Sequence, residues 1–168
     1  TASGNHIWAR AVGHVEFENN APRRIVGAFQ NITEAYLQRQ KIDNVRNRFQ
    51  LATRSGGIGV WDYNLVDGTL HWSAEMYPLY GLPPSDDTGA YELWTKHLHP
   101  DDKASAEAAL QAAVQGTSDF QPEFRVLWND GSTHFIKAAA MVERDNAGKA
   151  LRVVGVNWDV TAQRSAEA

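Results

Sequence analysis

His97-Leu98-His99-Pro100-Asp101-Asp102 sets two imidazoles and two carboxylates within one short run. Imidazole and carboxylate at that spacing can ligate zinc, and the run comes within one residue of an H-x-H-x-D-H dinuclear motif. The closing histidine is missing and no further cluster stands elsewhere in the chain. A metal-dependent enzyme therefore lacks its full ligand set, and no metal ligand is assigned. Cysteine is absent, which removes disulfides, thiolate metal sites, thiol nucleophiles and any cysteinyl–flavin adduct. Gly56-Gly57-Ile58-Gly59 lacks the preceding strand and following helix of a phosphate-cradling loop. No catalytic residue follows from any spacing, and the chain is expected not to be an enzyme itself.

A second group of residues points to binding. Trp61, Trp72, Tyr77, Tyr80, Trp94, Phe124, Trp128, Phe135 and Trp158 form an aromatic-rich set. In an antiparallel sheet covered on one face, alternate residues point at the covering helices. An aromatic-lined cavity with few polar groups makes a small-molecule site. The candidate lining is Trp61, Trp72, Tyr77, Tyr80, Trp94, Phe124 and Phe135, with Ala138, Ala140, Val154 and Val156. Small residues such as the alanines leave space or admit a bulky neighbour. The same side chains can equally fill a core, and both readings stand at this point.

The elements that must position these residues follow from pattern. His6–Phe17 and Arg24–Ile32 read as two strands around a polar turn, followed by a helix over 34–55 that contains no Gly or Pro. Along that helix Ile42, Val45, Phe49 and Ala52 follow a 3-4-3 spacing, the seam of a two-helix contact and the expected homodimer interface. A hairpin is expected over 58–72, a short helix capped by Ser73, a loop at Ser85-Asp86-Asp87, and helices over 89–98 and 100–115. Pro100 fits the first helical position, with Asp101 and Asp102 in the first turn. Three long strands, 120–128, 133–143 and 151–160, close the chain, and Thr161 reads as the cap of another helix.

One unit occurs twice. Residues 6–33 and 134–161, laid together at a constant offset of 128, share His, Ala, Arg, Val, Gly and Thr at six positions. Each copy reads as strand, turn, strand and helix start. The chain is thus expected to hold a C-terminal hairpin of a preceding domain (1–33), a connector helix (34–55), a complete domain of the same kind (48–163) and the start of an output helix (161–168). The apolar side of the first hairpin should not remain free.

The order β-β-α-α-α-β-β-β and several motifs resemble the PAS domain, in particular the PAS fold-3 group. Gly59-Val60-Trp61-Asp62-Tyr63, then Asp67-Gly68 and His71-Trp72-Ser73, resemble its opening hairpin. Tyr80-Gly81, His99-Pro100-Asp101-Asp102, Glu123-Phe124-Arg125 with Asp130-Gly131, and Asp159-Val160-Thr161 resemble its further motifs, the last being the DIT motif that launches the output helix. In the first copy Asn31 replaces the usual Asp. The resemblance implies an α+β fold: a five-stranded antiparallel sheet with short helices on one face, flanked by signalling helices.

The resemblance also implies a sensory and interaction module of a multidomain signalling protein. Such a module binds a small ligand or a partner and relays the change through its flanking helices, here through Asp159 and Thr161. A covalently attached kinase, diguanylate cyclase or chemoreceptor would be the output. The rival is a structural dimerisation spacer with a filled core. Some PAS domains hold haem through one histidine near position 97, which makes His97 or His99 a conceivable axial ligand. His99 belongs to a turn motif shared by haem-free relatives, so the cofactor is left unassigned. With a net charge of −4 and no Lys/Arg block, no nucleic-acid partner is expected. No apolar run approaches a membrane span, so no membrane contact and a cytoplasmic location are expected. The lack of an initiator Met fits a segment of a longer polypeptide.

Overall fold

The computed structural model describes residues 4–85 and 89–167. The expected loop residues Asp86 and Asp87, and Ala168 of the expected output helix, lie outside them. In chain order the elements are β1 (Ala9–Glu18), β2 (Ala21–Asn31), α1 (Thr33–Ser55), β3 (Gly59–Asn64), β4 (Leu70–Trp72), α2 (Met76–Leu79), α3 (Ala90–His97), α4 (Pro100–Gln115), β5 (Glu123–Leu127), β6 (Thr133–Arg144), β7 (Ala150–Asp159) and α5 (Thr161–Glu167). They fall into two units, Thr1–Gln50 and Leu51–Ala168.

The larger unit is a five-stranded antiparallel sheet in the order β4-β3-β7-β6-β5, with the helices inserted between β4 and β5. Side chains alternate between its faces with period two. Ile136, Ala138, Val153 and Asn157 are buried on the helix side with Phe124 and Val126. Against them pack Met76, Leu79 and Tyr80 of the α2 segment, Trp94 of α3 and Leu110 of α4. Gly155 makes room for its partner on the neighbouring strand: a Cβ there would overlap the Trp61 indole of β3, so the ring lies directly on the β7 backbone.

The motifs read in the sequence act mainly as joints. The His99 side chain caps α4 by accepting from Asp101 N, and Gly116 closes the helix in the left-handed region at φ 79°. Asp102 Oδ2 accepts from both Arg125 N (2.8 Å) and Arg125 Nε (2.9 Å), tying the start of α4 to β5. Ser73 does not cap a helix. Its hydroxyl accepts from Val60 N across the hairpin, and α2 begins only at Met76.

The smaller unit pairs β1 with β2 and continues into α1. It copies the end of the larger unit more closely than the ungapped alignment does, and with one residue of slip. Glu16 faces Arg24 as Glu143 faces Arg152, so the first strands correspond at an offset of 127 and the second strands at 128. The difference lies in the turns. Asn19-Asn20 is a two-residue turn with both φ positive, whereas Asp145 N bonds Lys149 O around three residues that include Gly148 at φ 83°. The His6/His134 and Ala11/Ala139 matches therefore dissolve. Ala11/Ala138, Val15/Val142 and Glu16/Glu143 replace them.

Hydrogen bonds repeat as well. Trp8 N donates to Thr33 Oγ1, and Phe135 N to Thr161 Oγ1, both at 2.9 Å. Ile32 N donates to Trp8 O, and Val160 N to Phe135 O, both at 2.8 Å.

Candidate functional site

Between the sheet and helices α2–α4 lies an apolar cavity of about 30 Å³. Six of the expected residues line it: Trp61, Trp72, Tyr80, Trp94, Phe124 and Ala138. Tyr63, Leu70, Met76, Tyr91, Leu110, Phe120 and Asn157 complete the wall. The rings meet edge-on or tilted, as Trp61 with Phe120 at 84° and Trp72 with Tyr80 at 32°.

Five expected residues sit elsewhere. Phe135, Val154 and Val156 occupy the opposite face of the sheet, because each alternates with a helix-side neighbour: Ile136, Val153 and Asn157. Phe135 and Ala138 are three residues apart in one strand, so period two forbids them a common face. Tyr77 is buried beside the cavity wall, its hydroxyl donating to Ser85 O and its ring edge-on to Trp72. Ala140 faces the helices but contacts the Gly155 strand rather than the cavity.

The polar centre of the site is Asn157, which the aromatic pattern missed. It is 2% exposed, in the middle of an apolar strand. A polar side chain at a helix-facing position of Val153-Val154-Gly155-Val156-Asn157 was the available signal. The Trp61 indole N–H can only donate, so the Asn157 carbonyl oxygen turns to it at 2.8 Å. The Asn157 amide nitrogen then donates to the Tyr80 hydroxyl at 3.1 Å. Tyr80 is fully buried, and burial pushes its ionisation far up, so the phenol keeps its proton. Among the described residues no acceptor is placed for that proton, which leaves a hydrogen-bond donor at the cavity wall.

Both histidines considered as axial ligands are engaged elsewhere. His97 Nδ1 donates to Leu93 O at 2.8 Å, His99 caps α4, and neither lines the cavity. Among the described residues no group of three His, Cys, Asp or Glu side chains could hold a metal ion.

A second cluster joins the cavity wall to α5. Trp128 Nε1 donates to Leu79 O at 3.1 Å, one residue before Tyr80. His134 stacks on Trp128, and its Nδ1 donates to Asp159 Oδ2 at 3.2 Å. Asp159 Oδ1 accepts from Thr161 N at 2.7 Å. Burial opposes ionisation of Asp159, but hydrogen bonds from Thr161 and His134 hold its carboxyl below the usual value. The roles expected for the pair are exchanged. Asp159 takes the N–H of the first helical residue, while the Thr161 hydroxyl is spent on strand β6. The helix starts at the threonine itself, so the residue two before it makes the cap.

These features define an antiparallel sheet covered by short helices, with an aromatic-lined pocket between them and a helix launched from the last strand. A family described as the PAS fold matches residues 69–157. The chain belongs to that family. It is 30% identical over 160 residues to the probable diguanylate cyclase DgcE of Escherichia coli (strain K12), covering 95% of this chain and 14% of that protein. Sensor protein FixL of Bradyrhizobium diazoefficiens is 29% identical over 125 residues, 74% of this chain and 25% of its own length. A sensory box histidine kinase/response regulator from Burkholderia thailandensis superposes with a TM-score of 0.60 at 30% identity, over 71% of this chain and 89% of that structure. The chain thus spans a quarter or less of these curated relatives. Among the described residues no helix is long and apolar enough to cross a membrane.

Proposed function

We infer that this domain senses a small, largely apolar molecule carrying one hydrogen-bond acceptor. The observation that carries the reading is the Tyr80 proton left without an acceptor at the wall of an aromatic cavity. The hydroxyl already accepts from Asn157, and an acceptor on the ligand would give it a second, desolvated hydrogen bond worth about 0.5–1.5 kcal/mol. The cavity has room for roughly two water-sized groups, so a larger guest enters by moving ring side chains. Ligand-driven movement of Tyr80 would reach α5 through Trp128, His134 and Asp159. The likeness to sensor kinases and cyclases supports a covalently attached output domain of one of those kinds. The exposed Ile42, Val45, Phe49 and Ala52 on α1 support a homodimer.

The smallness of the cavity favours a second reading, a filled dimerisation module. Native mass spectrometry with an absorption spectrum shows whether the purified protein retains a guest. Thermal shift with acetophenone against ethylbenzene then separates the readings. The sensor reading expects stabilisation by acetophenone beyond that by ethylbenzene, and loss of the difference in Tyr80→Phe. No retained molecule and no shift with either probe would leave the filled core.

A further inference from the structure

The hairpin β1–β2 has an inner face whose covering the described residues do not supply. Its strand-by-strand correspondence with β6–β7 says what that covering is. Ile25 stands where Val153 stands, and Phe29 where Asn157 stands. Val153 and Asn157 are 0% and 2% exposed, whereas Ile25 and Phe29 are 77% and 84% exposed. Ala11 matches Ala138 of the cavity wall. Gly27 matches Gly155, the backbone seat on which the Trp61 indole lies. The closing joint is also copied: Thr33 N donates to Asn31 Oδ1 at 3.0 Å as Thr161 N does to Asp159.

Chance pairing of two apolar strands explains none of this. Two strands with an apolar side do not by themselves yield the same register, the same helix-launching hydrogen bonds and small residues at the same seats.

The geometry points to a second PAS fold that β1–β2 completes, its inner face covered by the counterparts of β3–β5 and α2–α4 carried by the polypeptide preceding Thr1. α1 is then the counterpart of α5, and its Asn31–Thr33 joint is the exit of that upstream domain. The two pockets differ in chemistry. Phe29 offers no acceptor where Asn157 accepts from Trp61, so the hydrogen bond that anchors the Trp61 indole has no counterpart over Gly27. The inner positions that β1–β2 contribute, Ala11, Gly13, Val15, Ile25, Gly27 and Phe29, are all apolar, so this part of the upstream pocket takes a hydrocarbon filling or guest. Trp61 precedes Asn157 by 96 residues, and the counterpart of Trp61 precedes Phe29 by a similar stretch.

The test uses the parent polypeptide extended upstream by roughly 100 residues, a typical domain length. Calorimetry should show two transitions. Ile25→Asp and Phe29→Asp should lower one of them by more than about 10 °C or abolish it, leaving the other unchanged. Val12→Asp and Val26→Asp, counterparts of the outer-face Ala139 and Val154, should shift it by less than half as much. A single transition would overturn the proposal, as would equal damage from inner- and outer-face substitutions. So would a dimer of the extended protein that Phe29→Asp dissolves, since a second copy would then be the cover. The acetophenone response belongs to the other transition, so the sensor reading can fail while this one stands.

Discussion

The His134 imidazole lies flat on the Trp128 indole, ring centroids 3.7 Å apart and planes 11° from parallel. Trp128 is in turn held to the Leu79 carbonyl beside the cavity, and His134 to Asp159 at the foot of α5. This contact leaves only the Trp128 and His134 rings between the carbonyl that precedes Tyr80 and the carboxylate that accepts from Thr161 N at the start of α5.

Gly81 offers a way to load that contact. A Cβ there would lie 2.7 Å from the Trp128 ring, so Gly81→Ala must displace the indole. Amide exchange over residues 161–167 should rise several-fold, after correction for the strain of a non-glycine residue at positive φ. In a His134→Ala background the same substitution should add nothing further. Simple additivity of the two changes in the cycle would show that the stack does not couple the sites.

Asn157→Ala removes the acceptor of Trp61 Nε1 and the donor to Tyr80 together. Two buried polar groups are then left unpaired, and urea denaturation should report a loss of about 2–4 kcal/mol. Tyr80→Phe leaves only the Asn157 amide short of one partner and should cost about 1 kcal/mol. A loss under about 1 kcal/mol for Asn157→Ala would mean that water or repacking replaces the network.

Asp102 is held at about 2 by its hydrogen bonds with Arg125, against an ordinary value of 3.8. Its folded value is depressed, so its contribution to stability is complete above about pH 4 and is lost as pH falls through about 2. Asp102→Asn should remove that slope, making variant and wild type converge in stability as the pH is lowered across this window. Parallel curves across the window, measured by chemical denaturation, would show that the pair is not what titrates.

The fold was legible because each element carries its own signal. Pro100 and the acidic turn after it mark α4, Gly116 ends it, and the β5–β7 strands alternate cleanly about buried Val126, Ile136 and Val153. The site was legible only in part. Aromatic content points to a cavity, but which face a residue takes is a matter of parity, and Phe135, Val154 and Val156 fall on the wrong side of it. Asn157 escapes a search for rings because its role arises from a partner 96 residues away. The exchange of roles between Asp159 and Thr161 turns on a single residue of helix boundary, the least certain quantity in any pattern. The one-residue slip of the internal repeat was hidden likewise, since a turn of two or three residues leaves strand composition unchanged.

The α1 seam gives the last expectation. Ile42, Val45 and Phe49 are exposed along one stripe of a helix whose surroundings are polar. Burying such side chains between two copies contributes roughly 1.5–3 kcal/mol each. Val45→Glu places a like charge on both helices of a symmetric pair and forfeits that burial twice. Sedimentation should then show a dimer weakened by at least about tenfold, the equivalent of about 1.4 kcal/mol. Asn47→Glu, off the stripe, should leave the dimer as it is. Equal effects from the two would place the contact on another face, and a monomeric wild type would remove the seam altogether.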